Sequence, residues 1–168
     1  MAHETLIADN LDILQQGLRL LARIDDRQFT ATDAALYGYG VGSHIRHCLD
    51  AYDNFLAGLV TGQIDYDHRR PDPGLEQNRG RAITRMAAVM EQLDAIRALP
   101  ALLQSRLDSP IWTTTSPQRE LQFLVSHTVH HYALIALMLR TQGYTPPAEF
   151  GVAPSTLKRW KENAVCAR

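Results

Sequence analysis

Apolar residues recur with the period of an α-helix in four segments of this chain, and this periodicity limits the fold more than any other feature. Apolar side chains three or four residues apart lie on one face of a helix, and that face must be buried against another element. The predicted helices run from Glu4 to Ile24, His44 to Gly62, Gly80 to Leu99 and Pro117 to Thr141. The sequence shows no strand-like alternation. We therefore predict an all-α fold, a four-helix bundle in which the four stripes share one core.

Capping residues mark the ends of the predicted helices. Ser43 is suited to cap the second helix, and Ser116 followed by Pro117 is suited to begin the fourth. Pro100 ends the third helix because its ring leaves the next turn without a backbone donor. The chain from Gln142 onward is predicted to form a C-terminal extension that ends in a short helix.

A long connection, Thr61 to Asn78, separates the second and third predicted helices. Extended at about 3.3 Å per residue, it can run the roughly 30 Å length of a helix. We therefore expect helices two and three to be parallel. Charged side chains in this connection either cover a pocket or are simply solvated: Asp65, Asp67, His68, Arg69 and Arg70.

Length and composition favour one domain covering residues 1–168, because an apolar fraction of 45% is enough for one core. The 17 basic residues nearly balance the 18 acidic ones without a basic run, so we expect neither a nucleic-acid nor a membrane partner. The sequence lacks a basic region followed by an apolar leader, and it lacks an apolar run of about 18 residues. These features predict a cytoplasmic protein.

The chain contains two cysteines, Cys48 and Cys166. Cys48 lies on the apolar face of the second predicted helix, and Cys166 lies in the tail. This usage predicts neither a disulfide framework nor a thiolate metal site. We expect Cys48 to be a core residue and Cys166 to be an exposed thiol.

A cluster of histidines interrupts the apolar run of the fourth predicted helix. His127 and His131 lie one turn apart on the apolar stripe of this helix, so we predict that their rings point into the bundle, where they can converge on one ion; His130 lies to one flank. A second pair lies on the second predicted helix, where His44 is nearer the apolar stripe and His47 is toward its edge. Helical phase alone mildly favours His44 as the third ligand. Two histidines from one helix and one from another would leave a divalent metal open to water or substrate.

Two segments of the chain resemble the DinB/YfiT-like family of metalloenzymes: SHIRHCLDAYDNFLAGL, which begins at Ser43, and RELQFLVSHTVHHYALIALML, which begins at Arg119. The resemblance implies a four-helix bundle whose single divalent ion is held by His47, His127 and His131. It also implies zinc, nickel or iron as the cofactor, and a homodimer. The activities that it implies include thiol-dependent S-transfer and thiol-dependent isomerisation.

The functional hypothesis is a metal-dependent transferase or hydrolase. Three neutral imidazoles leave the charge of the ion uncompensated, so hydroxide or a thiolate is favoured in the fourth position. The motif contains no cysteine, and the sulfur would therefore come from a low-molecular-weight thiol. We expect transfer of this thiol onto a small electrophilic substrate.

Charged residues near the motifs have two interpretations each. Asp50 and Glu120 either accept hydrogen bonds from ligand imidazoles or act as a base, or they are plain solvated or capping residues. Arg69, Arg70 and Arg79 either bind a carboxylate of the cosubstrate or form exposed salt bridges.

Two other classes of function remain open. The same histidines can hold an ion in a sensory or stress-response module without turnover. Alternatively, they are hydrogen-bonded core residues of a purely structural bundle. A carboxylate-bridged di-iron bundle needs Glu-x-x-His on two helices, and a zincin needs His-Glu-x-x-His; the chain contains neither motif.

Overall fold

A computed structural model describes residues 2–32, 38–68 and 72–166, and these ranges are mostly helical, as predicted. The helices are α1 (Ala2–Leu21), α2 (Asp26–Thr30), α3 (Val41–Thr61), α4 (Pro73–Gln77), α5 (Arg79–Asp94), α6 (Pro117–Thr141) and α7 (Pro154–Cys166). The strands are β1 (Gln63–Asp65), β2 (Leu103–Arg106) and β3 (Thr113–Thr115). Within the described ranges, none of the helices combines the length and the apolar character needed to cross a bilayer.

The long helices α1, α3, α5 and α6 enclose the core. Both α1 and α3 pack against α5 and against α6. The largest side chains of the core are fully buried between them and α2; they include Tyr52, Tyr132, Phe29, Phe55, Leu14, Leu49 and Met86. Cys48 is buried in this core, as predicted, and the side chain of Cys166 lies outside the described residues.

A hydrogen-bonded asparagine joins three of the long helices inside this core. The Asn10 amide nitrogen donates to the carbonyl oxygens of Leu6 (2.8 Å) and of Leu121 on α6 (3.0 Å). Its amide oxygen accepts the hydroxyl of Tyr52 from α3 at 2.9 Å. A buried amide costs free energy unless it is paired, so these bonds favour one relative placement of α1, α3 and α6.

Helices α3 and α5 run in the same direction, in agreement with the expectation from the long connection. The beginning of α3 contacts α4, because Arg46 forms an ion pair with Glu76, and α5 begins immediately after α4. Further along both helices, Arg85 of α5 pairs with Asp53 of α3. The connection between α3 and α5 is partly structured, since it contains β1 and α4.

A three-stranded sheet corrects the prediction of an all-α fold. Strand β1 pairs with β2 in parallel, and β2 pairs with β3 antiparallel. The strands are three or four residues long, which is too short for an alternating pattern to be recognised in a sequence. Of these residues only Ile64 and Leu103 are buried.

The observed start of α6 agrees with its predicted cap, whereas the observed start of α3 does not. Ser116 caps α6 and Pro117 is its first residue, as predicted. Helix α3, however, begins at Val41 with Gly40 as its N-cap, so the prediction that Ser43 is the N-cap is wrong. Ser43 takes the other half of a capping box, because its hydroxyl accepts the backbone N–H of Gly40 at 3.0 Å.

The remaining boundaries differ by a few residues. Helix α1 spans Ala2–Leu21, where Glu4 to Ile24 was predicted. Helix α5 ends at Asp94, before the predicted end at Leu99. Assignments of a helix end commonly vary by one or two residues, and the five-residue difference at the end of α5 is larger than that. The tail forms the predicted terminal helix, α7.

Gly42 provides a test of the contact between α3 and α4. A Cβ atom at position 42 would overlap the backbone carbonyl oxygen of Glu76. We expect Gly42→Ala to lower the free energy of unfolding by about 1–3 kcal/mol, because the backbone must shift to admit the methyl group. Urea unfolding followed by circular dichroism measures this change.

Gly80→Ala is the matched control. Its added Cβ would have Asn78 Oδ1 as its nearest neighbour, at 3.3 Å, in the first turn of α5. We expect a change within about 0.5 kcal/mol, since alanine favours a helix over glycine. Equal losses in the two variants would contradict the proposed role of the α3–α4 contact.

Candidate metal centre

Three histidine side chains converge where α3 packs against α6. His47 comes from α3, and His127 and His131 come from successive turns of α6. Their ring centroids are 4.9 Å (His47 to His127), 4.7 Å (His47 to His131) and 4.5 Å (His127 to His131) apart. One ring nitrogen from each side chain lies within 4.8 Å of the other two. We call these three residues the histidine cluster; they are the residues that the sequence resemblance marks as metal ligands.

The histidine cluster lies at the edge of the core, which corrects the prediction that His127 and His131 point into the bundle with the apolar stripe. The buried face of α6 passes through Leu124, Thr128 and Tyr132. His127 and His131 are half-buried. Successive residues of a helix point about 100° apart, so a displacement of one residue moves a side chain from the core to its flank.

The histidine cluster has the chemistry of a divalent metal site. Nε2 of His127 is buried and has no hydrogen-bond partner among the described residues. Burial lowers the pKa of His127, and burial with the neighbouring imidazoles lowers the pKa of His131 to about 3. Both rings are therefore neutral at pH 7 and keep a lone pair for coordination. Three nitrogen ligands would leave a fourth position for water or substrate.

The other two histidines of the motifs are neighbours of the cluster and not part of it. Nδ1 of His44 lies 2.8 Å from Nδ1 of His131, within hydrogen-bond distance. Burial and the nearby His130 lower the pKa of His44. His130 is exposed, with its ring centroid 5.1 Å from that of His131. The structure therefore groups His47, and not His44, with the two histidines of α6.

An open cavity of about 300 Å³ reaches the histidine cluster and is large enough for a small molecule. Besides the cluster and His130, its walls comprise Asp50, Ala51, Tyr66, Asp67, Leu107, Asp108 and Phe123. A larger cavity of about 720 Å³ shares Tyr66, Leu107 and Phe123 with it. A third cavity, of about 190 Å³, is lined by His44 together with His47 and His131.

Two aromatic residues of the cavity wall were not assigned to the site by the sequence. The ring of Phe123 stacks on His127, with centroids 5.4 Å apart and planes at 27°. The ring of Tyr66 lies 5.0 Å from Phe123. Phe123 precedes His127 by four residues, about one helical turn, and this spacing indicates in the sequence that the two side chains share one face of α6. Tyr66 follows β1 in a connection without periodicity, so the sequence contains no comparable signal for it.

Asp50 and Glu120 have different surroundings. Asp50 lines the 300 Å³ cavity and accepts a hydrogen bond from Arg46 at 2.8 Å. Glu120 is buried and accepts the hydroxyls of Tyr66 (2.8 Å) and Thr115 (2.7 Å). Burial and this carboxylate raise the pKa of Tyr66, which stays a protonated donor. Through these two hydrogen bonds, Glu120 links the sheet region to α6.

Arg79 lies away from the histidine cluster. Its guanidinium donates to Asp26 and to the carbonyl oxygen of Leu21, both at 2.7 Å. This position favours the salt-bridge interpretation of Arg79. Arg69 and Arg70 lie outside the described residues.

The charged residues of the connection between α3 and α5 have different surroundings. Asp65 forms an ion pair with Arg106 at 2.6 Å, which joins β1 to β2. Asp67 lines the 300 Å³ cavity and accepts the backbone N–H of Asp108 at 2.8 Å. His68 is exposed. Among the described members of this group, Asp67 alone combines a place in the cavity wall with a contact to another part of the wall.

Comparison with known proteins gives a match to a family model, and similarities that include a solved structure of similar fold and a protein of partly similar sequence. Residues 14–135 match the family model described as the DinB superfamily, a range that contains the whole histidine cluster. A DinB-like protein of Bacillus subtilis, YjoA, has a similar fold, with a TM-score of 0.55 and 16% identity over 84% of this chain and 94% of that one. FK506-binding protein 5 of Rhizopus delemar is 28% identical over 114 residues, which are 63% of this chain. The chain spans 30% of the length of that relative.

The lowered pKa of His131 predicts how the stability of the metal-free protein depends on pH. The folded ring stays neutral down to a pKa of about 3, whereas an unfolded histidine binds a proton below about 6.5. The contribution of His131 to the free energy of unfolding is therefore fully present above pH 6.5 and is lost as the pH drops from 6.5 toward 3. For the half-exposed ring, we expect His131 to account for about 1 kcal/mol of the loss between pH 7 and pH 5.

Urea unfolding in chelator at several pH values measures this dependence. His131→Asn should show a shallower loss of stability on acidification than the wild-type protein. His68→Asn, which changes an exposed histidine outside the histidine cluster, should keep the wild-type slope. Identical slopes for the His131 variant and the wild type would contradict the prediction.

Proposed function

This chain belongs to the DinB superfamily, and from its histidine cluster we propose that it binds one divalent metal ion and activates a small thiol or water for attack on an electrophile. The observation that carries the proposal is the buried Nε2 of His127, which has no hydrogen-bond partner among the described residues. It belongs to a group whose nitrogens lie within 4.8 Å of one another. A metal ion shared with His47 and His131 satisfies such a nitrogen.

His47, His127 and His131 are the residues that would hold the ion, and zinc, nickel and iron are the candidates because imidazole suits all three. When bound, the ion supplies Lewis acidity that lowers the pKa of a thiol or water in the fourth position. The neutral imidazoles contribute no negative charge of their own. The site therefore favours the anionic form of the nucleophile.

The residues around the histidine cluster bind and orient the substrates. Phe123 and Tyr66 form an apolar wall beside His127, against which a small thiol or electrophile packs. The protonated hydroxyl of Tyr66 is held by Glu120, which keeps this wall in place. His130 is exposed at the cavity and accepts the proton released by the nucleophile.

The proposed S-transfer is a displacement. The thiol loses its proton to His130 or to solvent, and the sulfur forms a bond to the electrophilic carbon. The bond from that carbon to its leaving group breaks, and the leaving group departs with the electron pair. No oxidant or reductant is required.

We also propose a more specific description of the fold. We describe α1, α3, α5 and α6 as a four-helix bundle, and their mutual packing supports this description. A homodimer and a cytoplasmic location remain predictions.

Metal content is the first test. Tag-free protein analysed by inductively coupled plasma mass spectrometry should contain about one equivalent of zinc, nickel or iron, or take up one equivalent on addition. We expect His127→Ala/His131→Ala and His47→Ala to lose this stoichiometric binding, because each removes a ligand.

His130→Ala is the matched control for metal content, since His130 adjoins the cluster without belonging to it. It should keep about one equivalent. Wild-type protein that contains no metal and takes up none would support the reading of the histidines as structural residues and would overturn the proposed function.

Turnover separates an enzyme from a metal-binding module. Leu107 lines both the 300 Å³ and the 720 Å³ cavities, so Leu107→Trp should narrow the path to the cluster. With a small thiol and a chromogenic aryl chloride, we expect kcat/KM to fall about tenfold or more while metal content is unchanged. Leu137→Trp changes an exposed leucine outside the walls of these cavities and should keep wild-type activity.

A metal-loaded wild-type protein without turnover across a panel of thiols and electrophiles would favour the sensory or stress-response module. Equal losses of activity in the Leu107 and Leu137 variants would contradict the assignment of the cavity as the substrate site.

A further inference from the structure

The structure places His44 against a proposed metal ligand, and we infer that His44 is a positioning residue for His131. It accepts the N–H of His131 Nδ1 and thereby leaves His131 Nε2 to face the ion. The inference rests on the proposed metal site and adds a residue that the histidine cluster does not contain.

The contact between the two rings decides which nitrogen of His131 is available. The two Nδ1 atoms are 2.8 Å apart, so one of them carries the proton that lies between them. An imidazole has two ring nitrogens, and a neutral ring carries a proton on one and a lone pair on the other. Since Nδ1 of His131 is used in the contact with His44, Nε2 is the nitrogen left for coordination.

Coordination through Nε2 then sets the direction of the hydrogen bond. The lone pair of His131 must be on Nε2, so its proton is on Nδ1, and His44 Nδ1 is the acceptor. A partner of this kind fixes the ring orientation and raises the basicity of the ligand nitrogen. Carboxylates and carbonyl groups usually accept this hydrogen bond; here a second imidazole occupies that place.

The beginning of α3 is built to hold His44 in position. Reciprocal hydrogen bonds between Gly40 and Ser43 fix the first turn: the Gly40 N–H donates to the Ser43 hydroxyl at 3.0 Å, and that hydroxyl donates to the Gly40 carbonyl at 2.9 Å. Ile45 is fully buried next to His44. His44 and His47 are three residues apart on α3. This helix therefore supplies one proposed ligand, His47, and also the residue that positions the proposed ligand His131 on α6.

Zinc affinity tests the inference when it is measured by competition with a chromophoric chelator. We expect His44→Ala to weaken zinc binding by about 10–100-fold, the range found when such supporting partners are removed. His44→Asn should restore most of the affinity, because its amide oxygen occupies about the place of Nδ1 and can accept the same hydrogen bond. His130→Ala should bind zinc like the wild type.

A nitrogen-15 NMR spectrum of the zinc-loaded wild-type protein provides a second readout that a general loss of stability would not imitate. We expect His131 to show a metal-bound Nε2 and a protonated Nδ1, and His44 to show no metal-bound nitrogen. If His44→Ala does not fold, this spectrum decides by itself.

Each contrary result has a distinct meaning. A His44→Ala protein with wild-type zinc affinity, a His131 bound through Nδ1, or a metal-bound His44 would overturn the positioning role and leave the proposed function intact. Failure of His44→Asn to recover affinity when His44→Ala has lost it would also overturn the role. A wild-type protein that binds no metal would overturn the proposed function and the inference together.

Discussion

The hydrogen bonds of the buried Asn10 amide set the relative placement of α1, α3 and α6, the three helices on which the histidine cluster and its surroundings depend. It bonds to α6 through the carbonyl oxygen of Leu121 and to α3 through the hydroxyl of Tyr52. Sliding either helix would leave a buried polar group unpaired, at a cost of about 1–3 kcal/mol. Tyr52 lies five residues after His47, and Leu121 lies six residues before His127. The same contact that holds the core in register therefore also sets the spacing of the histidine cluster.

The edge of the core suits the proposed metal site because its histidines are buried enough to stay neutral and still accessible from a cavity. Burial lowers the pKa of His127 and of His131, which keeps both rings neutral and able to coordinate. A fully buried site would exclude substrate, whereas these half-buried rings open onto a cavity of about 300 Å³. The sheet region extends that cavity, since Tyr66 follows β1 and Leu107 follows β2.

Much of the helical framework and the histidine cluster can be predicted from the sequence, and the reason differs for each part. The start of α6 follows from local chemistry, because Ser116 and Pro117 favour a helix start whatever surrounds them. The strands, in contrast, are stabilised by pairing between distant segments, and their few residues contain no pattern. Helical phase favoured His44 over His47, since it ranks residues by apolar neighbours and carries no information about the facing helix. The family resemblance selected His47, which the structure places with His127 and His131.

The sequence by itself determined the four long helices and the fact that His127 and His131 share one face of a helix, because both follow from the 3.6-residue period of the backbone. It did not determine the short helices α2 and α4, which have too few residues to show that period. Only the tertiary structure decided that His47 lies beside them, that His44 lies behind His131, and that Tyr66 and Phe123 form the cavity wall. These relations join residues far apart in the chain. They depend on the side-chain packing that sets the distance and rotation between α3 and α6, and local periodicity does not encode that packing.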